Sequence, residues 1–257
     1  MTRPILLQVD RSAEANESCA HFADVFGVQP AGVELVLSSD AWKAIVEGDD
    51  ESGTHGVSDS RYGIRAIAAL CTAIDIERAI EGTTRLLKIA SASGATLLNL
   101  SMSPLTHSPD APGFRRYQDV LNFAYQLFRA IRLESESKGV TVALEAACGG
   151  CFLSPVELRE WIDSVNSWAI GVCINIARVA AIGSPFDWIA TLTHRVKAVR
   201  WSVDSPADCK PRGISMKAHD KVALAGALKA IDAEAPIILS RDSGDVDSLR
   251  GLVSGAR

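Results

Sequence analysis

The chain is expected to fold as one (β/α)8 TIM barrel of the α/β class, a single domain over residues 1–257. Three observations predict it. The length of 257 residues is close to the roughly 250 typical of such barrels. Short apolar runs alternate with helical patterns from end to end, with no linker-like break between them. Several of those runs end in polar residues, Glu145, Asn175 and residues 200–204, and the carboxyl ends of barrel strands are where a site is built.

Residues 5–9 form the first strand, with Asp10 at its end. A helix over 13–26 follows, and Gly27 closes it. Residues 32–37 are the second strand, and 40–56 an acidic, glycine-containing excursion made of a short helix and a loop. Residues 63–70 are the third strand, apolar as a strand covered on both faces should be. Asp75 N-caps a helix that ends near Gly94. Residues 96–102 are the fourth strand, and the loop 103–113 holds three prolines, a length and composition that suggest a role over the site. Val120, Leu121, Ala124, Leu127, Phe128 and Ile131 then recur at helical spacing, with Gly139 after the last turn. Residues 141–146 are the fifth strand. Ser154-Pro155-Val156-Glu157 is a capping box with proline at the first helical position, so a helix starts there. Residues 170–175 are the sixth strand, and Ser184-Pro185-Phe186-Asp187 opens another helix. Residues 196–202, a helix over 219–231, a strand at 236–240 and a helix over 245–253 complete eight strands and about eight helices.

Hydrophobic residues at 47% and charged residues at 22% exclude a disordered chain. A net charge of −5 and a pI near 5.6 argue against nucleic acid or an anionic membrane held by charge. No apolar run reaches bilayer-spanning length. The opening Met-Thr-Arg-Pro-Ile-Leu-Leu-Gln-Val-Asp is too short in its apolar part for a signal peptide, so a cytoplasmic location is expected. Six scattered cysteines fit reduced thiols better than a disulfide framework.

The run Gly139-Val-Thr-Val-Ala-Leu-Glu145 resembles the strand-five signature of the xylose-isomerase-like TIM barrels. Gly171-Val-Cys-Ile-Asn175-Ile-Ala-Arg178 resembles that superfamily's strand-six pattern Gly-Val-Cys-Leu-Asp-Thr-Gly-His, and Gly32-Val-Glu34-Leu its strand-two pattern. The superfamily holds sugar isomerases and epimerases, hydroxypyruvate isomerase and metal-dependent apurinic endonucleases. The resemblance implies a barrel-mouth site with a divalent metal (Mn, Mg or Zn) held by Glu, Asp, His and Glu on strands five to eight. The two glutamates also shuttle a proton. Carried over by position, Glu145 is kept, the aspartate becomes Asn175, and the histidine three residues beyond it becomes Arg178. The strand-seven histidine falls on Arg200 or Trp201, and the strand-eight glutamate on Ser240 or Arg241. Hard divalent cations want several anionic or oxygen ligands, and arginine has no lone pair to offer. With Glu145 and Asn175 as the remaining ligands, the ordinary metal site is expected to be absent.

Two readings stay open for each candidate. Glu145 is a catalytic base, or a carboxylate held by arginines. Arg178, Arg200 and Arg241 bind an anionic ligand in place of the metal's charge, or they pair with Glu145, Asp204 and Asp242 or face solvent. Asn175 and His107 are candidate substrate contacts, although a lone loop histidine is more often solvated. Asp10 and Asn99 are placed to hydrogen-bond a polyol. Trp42 and Trp201 could stack on a sugar, with packing the stronger expectation for Trp201. Cys148-Gly-Gly-Cys151, with Cys209, has zinc, redox and plain flexible-loop readings, the last being the most ordinary. Cys173 reads as core packing. No glycine-rich phosphate motif or nucleophile elbow is present.

Function follows as an expectation from the resemblance: an isomerase or epimerase acting on a small sugar, sugar phosphate or hydroxy-keto acid, with Glu145 as base. The alternative is a non-catalytic, ligand-binding barrel of the same superfamily. Endonuclease action is disfavoured, because that subgroup uses several metals and many histidines, whereas this acidic chain has five. The expected partner is a small molecule, anionic if the arginines face it. The family often forms homodimers, but nothing in the sequence marks a surface for one.

Overall fold

The structure is a computed structural model that describes residues 4–9, 30–37, 45, 63–71, 75–102, 116–145, 152–201, 226–229, 231 and 234–239. Eight parallel strands close into a barrel in chain order: β1 (Ile5–Val9), β2 (Gly32–Val36), β3 (Ile64–Cys71), β4 (Leu97–Met102), β5 (Thr141–Glu145), β6 (Ile170–Asn175), β7 (Val196–Trp201) and β8 (Ile237–Leu239). β8 pairs back onto β1 through Ile5–Ile237 and Leu7–Leu239, so no edge strand is left open. The described helices are α1 (Ile76–Ala92), α2 (Tyr117–Lys138), α3 (Pro155–Val165), α4 (Ile176–Ala180) and α5 (Pro185–Leu192), with a 3-10 turn at Thr193–Arg195. Gly226–Leu228 is helical as well, within the helix expected at 219–231. The helices expected at 13–26 and 245–253, and the loop 103–113, lie outside the described residues. No described helix is long and apolar enough to cross a membrane.

Local chemistry accounts for most boundaries. Asp75 caps α1 by accepting from the Arg78 backbone N–H at 3.0 Å. α2 ends where Gly139 takes a left-handed conformation, φ 63°, which a residue with a Cβ adopts only under strain. Ser184 caps α5 at the Asp187 N–H. The expected capping box at α3 does not form. Ser154 occupies the N-cap position and Pro155 the first turn, but Ser154 makes no side-chain cap bond. Glu157 instead accepts a 2.6 Å hydrogen bond from the Tyr117 hydroxyl. Burial and that carboxylate push the Tyr117 hydroxyl up to about 12. A contact to the next helix outcompetes the local one.

Two apolar layers form the core. The larger lies between strands and helices, with Leu86, Leu87, Leu127, Phe128, Ile131, Leu158 and Ile189 facing strand residues such as Leu98, Leu100, Val142 and Ile174. The smaller fills the barrel: Leu6, Ala66, Leu97, Ala143, Cys173, Ala198 and Ile238 point inward. Its alanines suit a narrow interior packed in layers. This plug is the floor on which a polar layer stands.

Strand register decides what stands there. Between β6 and β7 the pairing shifts: Val172 aligns with Val196 and Cys173 with Ala198, skipping Lys197. The shift sets Asn175 opposite Arg200 at the carboxyl ends. A second shift lies between β2 and β3, where Val33 aligns with Ile64 and Glu34 with Ala66, skipping Arg65. Such irregularities re-aim the side chains that follow them.

Candidate active site

At the carboxyl ends of the strands, above the apolar plug, polar side chains from five strands and α4 converge. Glu34 (β2), Asn99 and Ser101 (β4), Glu145 (β5), Asn175 (β6), Arg178 (α4) and Arg200 (β7) form one network. Inward positions alternate along a strand, so Asn99 and Ser101 share a face, and Cys173 and Asn175 share another. All of Glu34, Asn99, Glu145, Asn175 and Arg200 are buried.

Arg200 is the centre. Its Nη2 donates to Glu34 Oε1 at 2.7 Å, and its Nε lies 3.8 Å from Glu145 Oε2. Glu34 Oε1 also accepts from Asn99 Nδ2 at 2.5 Å. Glu145 is surrounded by donors: Asn175 Nδ2 reaches Oε1 at 2.9 Å, Arg178 Nη1 is 3.0 Å from the same oxygen, and Ser101 Oγ donates to Oε2 at 2.8 Å. The Asn175 side chain has a second task. It is the N-cap of α4, its Oδ1 accepting from the Arg178 N–H at 3.3 Å. One amide thus starts the helix that carries Arg178 and binds the carboxylate that Arg178 pairs with.

The two carboxyls are pushed in opposite directions. Burial alone would raise Glu145, but Arg200 and Arg178, helped by Asn175 and Ser101, outweigh it and hold the group below its ordinary value. For Glu34 burial wins. It is fully enclosed, Arg200 and Asn99 offset the desolvation only in part, the Glu145 charge adds to it, and the carboxyl is raised. Among the described residues its Oε2 has no hydrogen-bond partner, nor has Asn99 Oδ1. Burial disfavours the Arg200 cation, but Glu34 and Glu145 more than reverse this, and the guanidinium stays charged. Burial pushes the Cys173 thiol up to about 12, so it is an inert core group beneath the site.

Five residues singled out from the sequence, Asn99, Glu145, Asn175, Arg178 and Arg200, are brought together here. The strand-seven alternative resolves in favour of Arg200, because Trp201 turns outward into the layer between strands and helices, 8% exposed. Arg178 and Arg200 pair with Glu145 rather than facing solvent. Arg241, His107, Asp10, Trp42, Cys148, Cys151, Cys209, Ser240, Asp204 and Asp242 lie outside the described residues. In the sequence Glu34 stands out only as part of a strand pattern, although it anchors the central arginine. Its signal was a lone acid at an inward position of an apolar strand. Among the described residues no group of three or more His, Cys, Asp or Glu side chains could hold a metal ion.

A family model described as xylose isomerase-like TIM barrel matches residues 54–242. No curated protein sequence matches the chain. Among solved structures, 3-keto-D-glucoside 4-epimerase from E. coli superposes with a TM-score of 0.66 at 12% identity, covering 99% of each chain. A xylose isomerase-like TIM barrel protein from Mycobacterium smegmatis, in complex with magnesium, gives 0.63 at 14% identity over 99% of this chain and 98% of that one. Mannonate dehydratase from Streptococcus suis serotype 2 gives 0.65 at 10% identity over 93% and 83%. At these identities the likeness is one of fold. With the family match spanning most of its length, the chain belongs to the xylose isomerase-like TIM barrel family.

Proposed function

We propose that the chain is an isomerase or epimerase of small hydroxylated or keto substrates, in which guanidinium charge does the work of a divalent cation. The observation that carries this reading is Arg200, held between two buried carboxylates at 2.7 and 3.8 Å. The donor set does not fit a hard divalent ion. Both Glu145 oxygens already face hydrogen-bond donors or guanidiniums, Asn175 offers Glu145 its N–H and spends its oxygen on a helix cap, and Arg178 brings a positive charge. A magnesium complex is known for one similar barrel.

In this scheme Glu145 is the base. It is held ionised, it is 5% exposed, and it faces the mouth. Isomerisation and epimerisation share one need, removal of a proton beside a carbonyl, with the resulting oxyanion stabilised. Arg178, with 15% of its side chain exposed, is the outer guanidinium and the one placed to meet a substrate carbonyl or acid group. Arg200 keeps Glu145 oriented from below. Ser101 and Asn175 fix the carboxylate's rotation. An incoming substrate must displace a donor from Glu145 before that oxygen can accept a proton.

That last requirement favours a second reading. A carboxylate engaged at both oxygens and held below its usual pKa is a weak base, as a barrel that binds a ligand without turning it over would have. One experiment separates the two. Thermal shift with neutral sugars, sugar acids and sugar phosphates finds ligands, and turnover is then assayed for those that bind. The enzyme reading predicts epimer or isomer formation, abolished in Glu145→Gln with binding retained. Binding without turnover in the wild type would leave the ligand-binding reading standing alone.

A further inference from the structure

We propose that the opposite, N-terminal mouth of the barrel is a second binding site, for a small organic oxyanion of the phosphate or carboxylate class. A cavity of about 510 Å³ opens there, within the few-hundred-Å³ range of small-molecule pockets, roughly 300–1,000 Å³. The apolar plug of Leu6, Ala66, Leu97, Ala143, Cys173, Ala198 and Ile238 separates it from the candidate active site.

Among the described lining residues the cavity's two cations are the two residues that the strand pairing skips. Arg65 is passed over between β2 and β3, and Lys197 between β6 and β7, and both line this mouth. β3 and β7 stand on opposite sides of an eight-stranded barrel, so the charges flank the opening. Neither side chain has an ion pair among the described residues. Lys197 is fitted to its place. A Cβ on Gly171 would lie 2.3 Å from Lys197 Cγ and 2.5 Å from the Arg195 carbonyl oxygen, so the glycine makes room for the lysine stem to cross the lower barrel. Thr96 and Thr141 add hydroxyls to the lining, and Trp168, 64% exposed, adds an aromatic surface. Glu234 is the acid among the described lining residues, and it disfavours highly charged anions. A singly or doubly charged oxyanion between Arg65 and Lys197, with its apolar part on Trp168, satisfies every feature.

Phenyl phosphate is a suitable probe, titrated by calorimetry into the full chain at fixed ionic strength, with phenol and inorganic phosphate as comparators. Lys197→Met keeps the stem over Gly171, and Arg65→Gln is exposed, so both variants should fold. Each should weaken phenyl phosphate about tenfold, the loss of one charge-assisted contact, while Arg178→Gln at the other mouth leaves that affinity unchanged. Phenol should not bind, and inorganic phosphate should bind more weakly than phenyl phosphate. Unchanged affinity in Arg65→Gln and Lys197→Met, loss confined to Arg178→Gln, or no saturable binding would each overturn the proposal. None of these results bears on turnover at the carboxyl-end mouth.

Discussion

Replacing Arg200 by methionine is the sharpest perturbation of the polar layer. The guanidinium is 6% exposed and touches two carboxylates that are 0% and 5% exposed. Methionine fills a similar volume but, among the described residues, leaves Glu34 with Asn99 and Glu145 with Arg178, Asn175 and Ser101. Breaking a buried pair by removing one partner costs about 3–5 kcal/mol. At about 2–4 °C per kcal/mol for a domain of this size, the midpoint should fall by about 6–20 °C. The loss should also depend on pH. Without Arg200 the folded-state values of both acids rise, so the folded chain holds protons that the unfolded chain releases, and stability falls as pH rises above the ordinary carboxylate value of about 4.5. Calorimetry at about pH 5 and about pH 8 should find the larger penalty at the higher pH. Adding Glu34→Gln should recover part of the loss, with a coupling of about 0.5–3 kcal/mol. A drop of under about 1 kcal/mol in the single variant, equal at both pH values, would refute the charge accounting.

Three further outcomes are expected. Gly171→Ala should destabilise by about 1–3 kcal/mol in chemical denaturation, since the new methyl meets both Lys197 and backbone; pairing it with Lys197→Ala should recover only the side-chain share. Gly139→Ala meets nothing within 4 Å, so its cost is the left-handed backbone alone, about 1 kcal/mol. Ser184→Ala removes a formed cap and should lose about 1 kcal/mol, whereas Ser154→Ala, which removes no cap bond, should be close to neutral in the same melts.

The barrel was legible because its signals are local and repeated. Apolar runs bounded by glycine or a cap became strands, among them Gly32–Val36 and Val196–Trp201, and α2's Val120, Ala124, Leu127, Phe128 and Ile131 are buried as their spacing implied, with Leu121 half-buried. The parts missed depend on contacts distant in sequence. Glu157 looked like a capping-box acid until Tyr117, forty positions away, claimed it. α4 begins inside a site motif at Ile176, where Asn175 serves as cap and carboxylate partner together, and no periodicity marks a five-residue helix. The Glu34–Arg200 pair spans 166 positions and relies on two register shifts that spacing alone does not reveal. The resemblance located Glu145, Asn175, Arg178 and Arg200 by strand position, but not which of them pair.

If arginine charge stands at this mouth in place of a bound cation, the chain should hold no divalent ion there. Elemental analysis of the full chain, purified without chelator and dialysed against Mn, Mg and Zn in turn, tests this most directly. Well under one divalent ion per chain is expected, unchanged by Glu145→Gln. One ion per chain in the wild type, lost in Glu145→Gln, would contradict it.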